Sequence, residues 1–299
     1  MYSIDYTNIN GDKYVELKSK LGYSYAKILI NKGGGLQTLS LNKRIIIEEL
    51  DNSSPEKKYA SSIMFPFAGR INEGLYNYND EEYDLSDVLD QDNEVKHGFL
   101  IDKNFDVKEE NITDSSASVI LVYVEDFYIK GFPFKYQVEL TYLLSNYTLN
   151  LDVKIKNKSN VTFPFSIGWH PYFISKDSKG TVYFNSKNVV VFNEKMIPKE
   201  VAEVEKVPPI NIREQHLDDC FELEDNLVQF KTSSYAINIK STSSPNFLQL
   251  YTPVNNELVA IEVMTAPADS FNNKIGLQYL DSNETYTIGW EIKEVTDLN

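Results

Sequence analysis

Residues 134–155 read FKYQVELTYLLSNYTLNLDVKI, and this segment decides the fold class of the chain. Alternate residues are apolar over 134–144 and again over 149–155, with mostly polar residues between them. A two-residue period of this kind is typical of a β-strand with one buried face. Because the turn-forming pair Ser145-Asn146 separates the two runs, the segment predicts a long antiparallel hairpin.

Working outward from the hairpin, the rest of the chain shows similar short runs bounded by Gly, Pro, Asn or Ser. No amphipathic helix longer than about three turns is readable. No linker, internal repeat or low-complexity stretch divides the chain. The sequence therefore predicts one all-β domain over residues 1–299, built as a large antiparallel β-sandwich. Further strands are predicted at 25–30, 36–41, 118–124, 189–192, 235–240, 247–251 and 286–292.

The composition limits the class of protein and its partners. Hydrophobic residues make up 42% of the 299 residues, enough for a core, and no apolar run approaches the length of a bilayer span. The formal charge of -15 would repel a phosphate backbone, so neither nucleic acid nor a membrane is an expected partner. Cys220 is the single cysteine and the N-terminus lacks a signal pattern, which favours a cytoplasmic location. The oligomeric state is not indicated.

Three local signals fail the patterns that a ligand site would need. Gly33-Gly34-Gly35 lacks the Lys-Ser/Thr of a phosphate loop and the glycine spacing of a dinucleotide site, so it predicts a tight turn or bulge before the strand at 36–41. The acidic stretch 80–92 lacks the central Gly of a calcium loop and is interpreted as a solvated loop. No two histidines are close in sequence, so no metal site is expected.

His170 is one of three histidines and lies in the run Gly168-Trp169-His170-Pro171-Tyr172-Phe173. Imidazole titrates near neutral pH, and an apolar pocket or a nearby carboxylate can shift its pKa enough to make it a catalytic acid or base. A hydrogen-bonded core histidine is the alternative interpretation.

Glu262 interrupts a mostly apolar strand pattern over residues 259–267. A carboxylate in such a strand must be buried or line a cleft, and burial is costly unless the group is paired. From these residues alone, a catalytic base and a paired structural glutamate remain equally open.

Three further polar residues lie in segments rich in aromatic and glycine residues. Arg70 ends the run 65–70, His97 precedes Gly98, and Asp218 begins the run 218–221. Together with the segments of His170 and Glu262, these resemble the aldose 1-epimerase (galactose mutarotase) family, in the family's own order along nearly the whole chain. The resemblance implies a β-supersandwich fold, a free aldohexose as the small-molecule partner, and interconversion of its α and β anomers without metal or cofactor.

The resemblance also implies roles for the five residues. Glu262 would take the proton from the anomeric hydroxyl as general base, and His170 would protonate the ring oxygen as general acid. These roles require an ionised Glu262 and a protonated His170 at the same pH. Arg70 and His97 would hydrogen-bond near the ring oxygen and hydroxyls. Asp218 would accept bonds from sugar hydroxyls, with its neighbour Asp219 as the competing assignment.

The chain departs from the family pattern at three positions. Gly69 stands where many members have Asn, Val263 stands where many have Pro, and Phe99 replaces a second Gly after His97-Gly98. These departures lie next to residues that would contact the sugar, and the substrate stays open.

The abundance of aromatic residues offers candidates for stacking on the sugar, among them Trp169, Tyr172 and Phe271, although core packing is the commoner role of an aromatic residue.

Three functions remain compatible with the sequence. The leading hypothesis is a mutarotase of free aldohexoses. The second is an epimerase of a phosphorylated hexose, which needs cations near the site, where the sequence identifies only Arg70. The third is a sugar-binding module that retains the cleft without catalysis.

Overall fold

The chain forms antiparallel strands over most of the residues that the computed structural model describes, which are 1–88, 94–176, 179–205, 207–213, 216–253 and 257–295. Short helical turns lie at Pro55–Tyr59, Asn72–Gly74, Ser86–Val88 and Ser270–Asn273. The strands, in chain order, are β1 (Tyr2–Ile9), β2 (Asp12–Ser19), β3 (Tyr25–Leu29), β4 (Gly35–Leu41), β5 (Arg44–Ile47), β6 (Ile63–Met64), β7 (Arg70–Ile71), β8 (Leu75–Tyr78), β9 (Glu81–Asp84), β10 (Val95–Lys96), β11 (Asp106–Ile112), β12 (Ser116–Glu125), β13 (Tyr136–Ser145), β14 (Thr148–Asn157), β15 (Phe163–Phe165), β16 (Gly168–Trp169), β17 (Tyr172–Ile174), β18 (Thr181–Tyr183), β19 (Ser186–Phe192), β20 (Pro198–Glu203), β21 (Ile210–Asn211), β22 (Asp218–Leu223), β23 (Leu227–Lys231), β24 (Ala236–Ser241), β25 (Phe247–Tyr251), β26 (Leu258–Met264), β27 (Gln278–Leu280) and β28 (Thr285–Glu294).

The predicted hairpin is formed by β13 and β14, inside a nine-stranded sheet of order β11-β12-β13-β14-β28-β24-β23-β18-β21. Its turn falls at Asn146 and Tyr147, one residue later than predicted, because Ser145 still belongs to β13 and its Oγ lies 2.6 Å from the Thr148 Oγ1. The apolar positions of both strands are buried and the polar positions alternate with them, so the predicted period is confirmed.

The second large sheet has the order β20-β19-β22-β25-β26-β16-β6, with β17 also paired to β26. One of its faces packs on the nine-stranded sheet: Trp290 of β28 donates a hydrogen bond to the Val263 carbonyl of β26 at 3.1 Å. Leu140 of β13 and Ile261 of β26 belong to the same buried apolar cluster. The all-β sandwich expected from the sequence is therefore confirmed.

The N-terminal part of the chain adds a five-stranded sheet, β1 to β5. Gly33 and Gly34 form the turn before β4 with positive φ, as predicted for the glycine run. The acidic stretch is partly different from its prediction, because Glu81–Asp84 pairs with β8 as a short hairpin, while residues 89–93 lie outside the described residues. None of the described helices is long and apolar enough to cross a membrane.

Candidate functional site

A cleft of about 250 Å³ opens on the face of the eight-stranded sheet that is turned away from the nine-stranded sheet. Its walls include all five residues selected from the sequence: Arg70, His97, His170, Asp218 and Glu262. A cavity of this size is close to the lower end of the range for small-molecule sites. Residues far apart in sequence therefore meet at one place that can hold a small ligand.

The backbone register brings His170 beside Glu262. Both β16 and β17 pair with β26, with Gly168 opposite Met264 and Tyr172 opposite Ala260. His170 lies between these two pairs and Glu262 lies midway between their partners, so the two side chains extend from neighbouring positions on one face. The His170 Nε2 is 3.2 Å from the Glu262 Oε1, and both side chains are almost completely buried.

The main chain fixes the position of the His170 ring. The His170 N–H donates to the Ser62 carbonyl at 3.1 Å, and the Ser61 N–H donates to the His170 carbonyl at 2.8 Å. Neighbouring residues of a strand point to opposite faces. Trp169 accordingly lies in the core, where its Nε1 donates to the Ser61 carbonyl at 3.2 Å and its ring is 6.1 Å from that of Trp290.

Of the three aromatic residues considered for stacking, Tyr172 lines the cleft and the other two do not. Trp169 and Phe271 are each 1% exposed and belong to the core cluster. Phe271 packs edge-on against Tyr76, with 4.8 Å between ring centroids. As stacking residues these two candidates are wrong, because the apolar cluster between the elements encloses their rings.

His97 enters the cleft on a loop with an unusual backbone. Its φ is +61°, and Gly98 follows with φ +72°. A Cβ at Gly98 would lie 2.1 Å from the Phe65 carbonyl oxygen, so only glycine fits this close approach. The His97 ring then meets the His170 ring edge-on at 5.1 Å, and its Nδ1 lies 2.9 Å from the Met64 Sδ.

Arg70 and Lys96 form a pair of cations on one wall. They are opposite each other where β7 pairs with β10. The Arg70 Nε donates to one oxygen of Glu94 at 2.9 Å, and the Lys96 Nζ is 3.1 Å from the other. One carboxylate therefore bridges two cations at the edge of the cleft.

Asp218 lies on the opposite side of the cleft, at the start of β22. The Gln249 Nε2 donates to its Oδ1 at 2.8 Å, and Gln249 is itself directly opposite Glu262 in the pairing of β25 with β26. Asp219 alternates to the other face of β22 and is exposed. Of the two aspartates, the structure places Asp218 in the cleft.

Burial disfavours charge at the central pair. It lowers the pKa of His170 to about 4 and raises the pKa of Glu262 well above its usual range, with Asp218 adding to that rise and Arg70 opposing it. Burial also lowers the pKa of His97 well below its ordinary value, helped by the neighbouring His170. Both shifts favour the neutral form of each group, whereas the roles implied by the family resemblance need an ionised Glu262 and a protonated His170.

Several cleft residues were not selected from the sequence. Gln249 carries the same signal as Glu262, a polar residue inside an apolar strand run, and could have been found by it. Lys96, Tyr251, Phe192 and Met196 also line the cleft, but no pattern in the sequence marks them. Among the residues that the structure describes, no group of three or more His, Cys, Asp or Glu side chains is arranged to hold a metal ion.

Comparison with known proteins gives a family match over nearly the whole chain. The family model described as Aldose 1-epimerase matches residues 15–293. The protein YihR of Escherichia coli strain K12 is 22% identical over 282 residues, which cover 90% of each protein.

Two solved structures show the same fold. A galactose mutarotase-like protein from Clostridium acetobutylicum superposes with a TM-score of 0.86 at 20% identity, covering 98% of each chain. A galactose 1-epimerase from Lactobacillus acidophilus NCFM gives a TM-score of 0.79 at 19% identity, covering 99% of this chain and 98% of that one. These structural matches extend along the whole fold, including the sheet that carries the cleft.

Proposed function

The chain belongs to the aldose 1-epimerase family, and we propose that it is a mutarotase that interconverts the α and β anomers of a free aldohexose. The observation that carries the proposal is the 3.2 Å contact between Glu262 and His170 in a cleft large enough for a small ligand. Mutarotation needs one group that removes a proton and one that supplies it, on adjacent oxygens of the sugar. A carboxyl and an imidazole side by side match that requirement.

The reaction follows from the two positions. Glu262 takes the proton of the hydroxyl on C1 while His170 gives a proton to the ring oxygen, so the bond from C1 to the ring oxygen breaks and an aldehyde forms. Rotation about the C1–C2 bond presents the other face of the aldehyde. The ring hydroxyl then attacks C1, returns its proton to His170, and Glu262 returns its proton to the new C1 oxygen. Each group typically contributes ~10²–10⁴-fold to the rate.

The roles of Glu262 and His170 require that the bound sugar oppose the effect of burial on both groups. Burial raises the pKa of this carboxyl and lowers that of His170, so it disfavours the ionised carboxyl and the protonated imidazole. Sugar hydroxyls that donate to Glu262 favour its ionised form, as does the positive charge of Arg70. In the proposed mechanism, substrate binding favours transfer of a proton from Glu262 to His170 across the 3.2 Å contact.

The surrounding residues would orient the sugar. Asp218 accepts hydrogen bonds from hydroxyls, and its bond from Gln249 holds the carboxylate in place. His97 stays neutral, so one ring nitrogen donates and the other accepts. Tyr172, whose ring lies 5.0 Å from that of His170, offers an apolar surface beside the reacting end of the sugar.

Lys96 favours a second candidate, an epimerase of a phosphorylated hexose. The sequence analysis identified one cation near the site, and the structure places Lys96 beside Arg70 on the same wall. Two cations can hold a phosphate, but both already contact Glu94, so a phosphate would compete with that carboxylate. The free sugar remains the first choice.

Polarimetry on freshly dissolved pure anomers tests the proposal. We expect wild-type protein to speed the approach to equilibrium of at least one free aldohexose, and to act less well on the matching 6-phosphate. Preference for the 6-phosphate would select the second candidate. Binding of a hexose with no acceleration over buffer for any sugar would instead identify a non-catalytic sugar-binding module.

A further inference from the structure

The hairpin of β19 and β20 closes one side of the cleft. Phe192 ends β19, and Met196 lies in the tight tip between the strands with a positive φ of 56°. The Asn193 N–H donates to the Ile197 carbonyl at 2.9 Å, which keeps the tip compact. Both Phe192 and Met196 line the cleft and are only partly buried.

The register of the sheet places this wall relative to the central pair. Glu262, Gln249, Cys220 and Val190 are successive cross-strand neighbours on one face. Phe192 is two residues beyond Val190, so it extends from the same face, next to the position of Asp218. The hairpin wall thus lies across the sheet from Glu262, beyond Asp218.

The chemistry fixes which end of the sugar lies at Glu262 and His170. The hydroxyl on C1 must be free for the ring to open, so a reducing disaccharide can react only at its reducing unit. Its second unit is then attached to an oxygen remote from C1. In the proposed orientation, C1 lies between Glu262 and His170 and the remote oxygen lies toward Asp218 and Phe192, which line the same cleft.

We propose that Phe192 and Met196 determine substrate size: they restrict the cleft to monosaccharides and exclude reducing disaccharides linked through the oxygen on C4. This inference rests on the proposed function, because it takes its orientation from the reacting end of the sugar. Phe192 and Met196 act as a steric wall and take no part in proton transfer.

An ion pair joins this wall to the opposite rim. The Lys195 Nζ, next to Met196, lies 3.1 Å from the Glu73 Oε1, in the turn that follows Arg70. Both side chains are largely exposed, and exposed ion pairs are weak. The contact links the hairpin tip to the turn that follows Arg70, across the cleft from the hairpin.

The test compares glucose with maltose and cellobiose, as freshly dissolved anomers, on wild type, Phe192→Ala, Met196→Ala and the double variant. We expect wild type to prefer glucose, and the double variant to raise the ratio of disaccharide to glucose kcat/KM by ~10-fold or more. Phe127→Ala removes an aromatic side chain that is 81% exposed on another loop and should leave the ratio unchanged. Thermal unfolding of each variant separates misfolding from a change in selectivity.

The ion pair between Lys195 and Glu73 provides a second, independent test of the size limit. Lys195→Glu should raise the same ratio, because two carboxylates then repel each other across the rim, and adding Glu73→Lys should restore it. A wild type that accepts disaccharides as well as glucose, or folded variants with an unchanged ratio, would overturn the size limit. Equilibrium binding of the same sugars is measured in parallel, so the size limit is tested even if no sugar is turned over.

Discussion

Strands β14 and β26 lie inside the two large sheets, and they differ in what happens to their charged residues. β14 has one buried face and one solvated face, where Asp152, Lys154 and Lys156 are exposed. β26 is buried from Val259 to Met264 on both faces, yet it carries Glu262. An ionisable residue on a strand with a solvated face is ordinary, whereas one on a strand without such a face needs a partner and marks a candidate site.

The largest effect is expected from substituting His170, the partner of Glu262. His170→Asn keeps a polar side chain of similar size and removes the group that protonates the ring oxygen. We expect kcat for the best hexose to fall by ~10²–10⁴-fold. Combining it with Glu262→Gln should cost little more than one change alone, since the two groups act as a unit. Fully additive losses would show that they act separately.

Substitutions in β14 and in its neighbour β13 should change the stability of the fold rather than its activity. Leu140→Ala, in the core beside β14, should lower the free energy of unfolding by roughly 2–5 kcal/mol, because it leaves a cavity in a fully buried site. Lys154→Ala on the exposed face is the control and should change it by less than about 0.5 kcal/mol. Activity per folded molecule should be unaffected in both. Chemical denaturation gives the free energies.

Gln249→Met tests whether Gln249, the cross-strand neighbour of Glu262, supports sugar binding by holding Asp218 in place. It keeps the length of the side chain and removes the donor to Asp218, which should weaken sugar binding about tenfold through one lost hydrogen bond to a charged group. Gln229→Met is the matched control, because Gln229 also donates across strands, at 2.9 Å to Asn238, but on the exposed surface. Equal losses of affinity in both variants would contradict a local role for Gln249.

The pH dependence of stability reports the opposite pKa shifts of the pair. The pKa of His170 is lowered from 6.5 to about 4. Its contribution to the free energy of unfolding is therefore complete above pH 6.5 and is lost as pH falls toward 4. The pKa of Glu262 is raised above 4.5, so its contribution is complete below pH 4.5 and is lost as pH rises. Between pH 4.5 and 6.5 the two trends oppose each other.

Single variants should separate these trends. Relative to the double variant, Glu262→Gln should lose stability as pH falls from 6.5 toward 4, and His170→Asn should lose stability as pH rises above 4.5. Denaturation curves across this range provide the slopes. Two slopes of the same sign would be inconsistent with burial as the cause of both shifts.

The comparison also explains what the sequence could predict. The alternation over 134–155 identifies strands with one solvated face directly, and Glu262 is visible because it violates the apolar pattern of its strand. The same alternation would have removed Trp169 from the stacking candidates. It is the residue before His170 in an extended segment, so its side chain must point to the opposite face. Fold class and buried polar positions are thus local signals.

Other parts of the site depend on tertiary register and had no local signal. Phe192 and Met196 form a wall only because β19 lies two strands away from β25, the neighbour of β26. Lys96 meets Arg70 through a two-residue pairing, which no period in the sequence reveals. The opposite pKa shifts of His170 and Glu262 follow from their burial, which the sequence does not reveal.

In the proposed mechanism Glu262 transfers a proton in the reaction rather than merely holding sugar or structure. The most direct measurement is the rate of anomer exchange by NMR on wild type and Glu262→Gln, with the affinity for the same hexose measured on both. We expect an exchange rate lowered by ~10²-fold or more at saturating sugar in Glu262→Gln, with a far smaller change in affinity. Undiminished exchange in folded Glu262→Gln would contradict it.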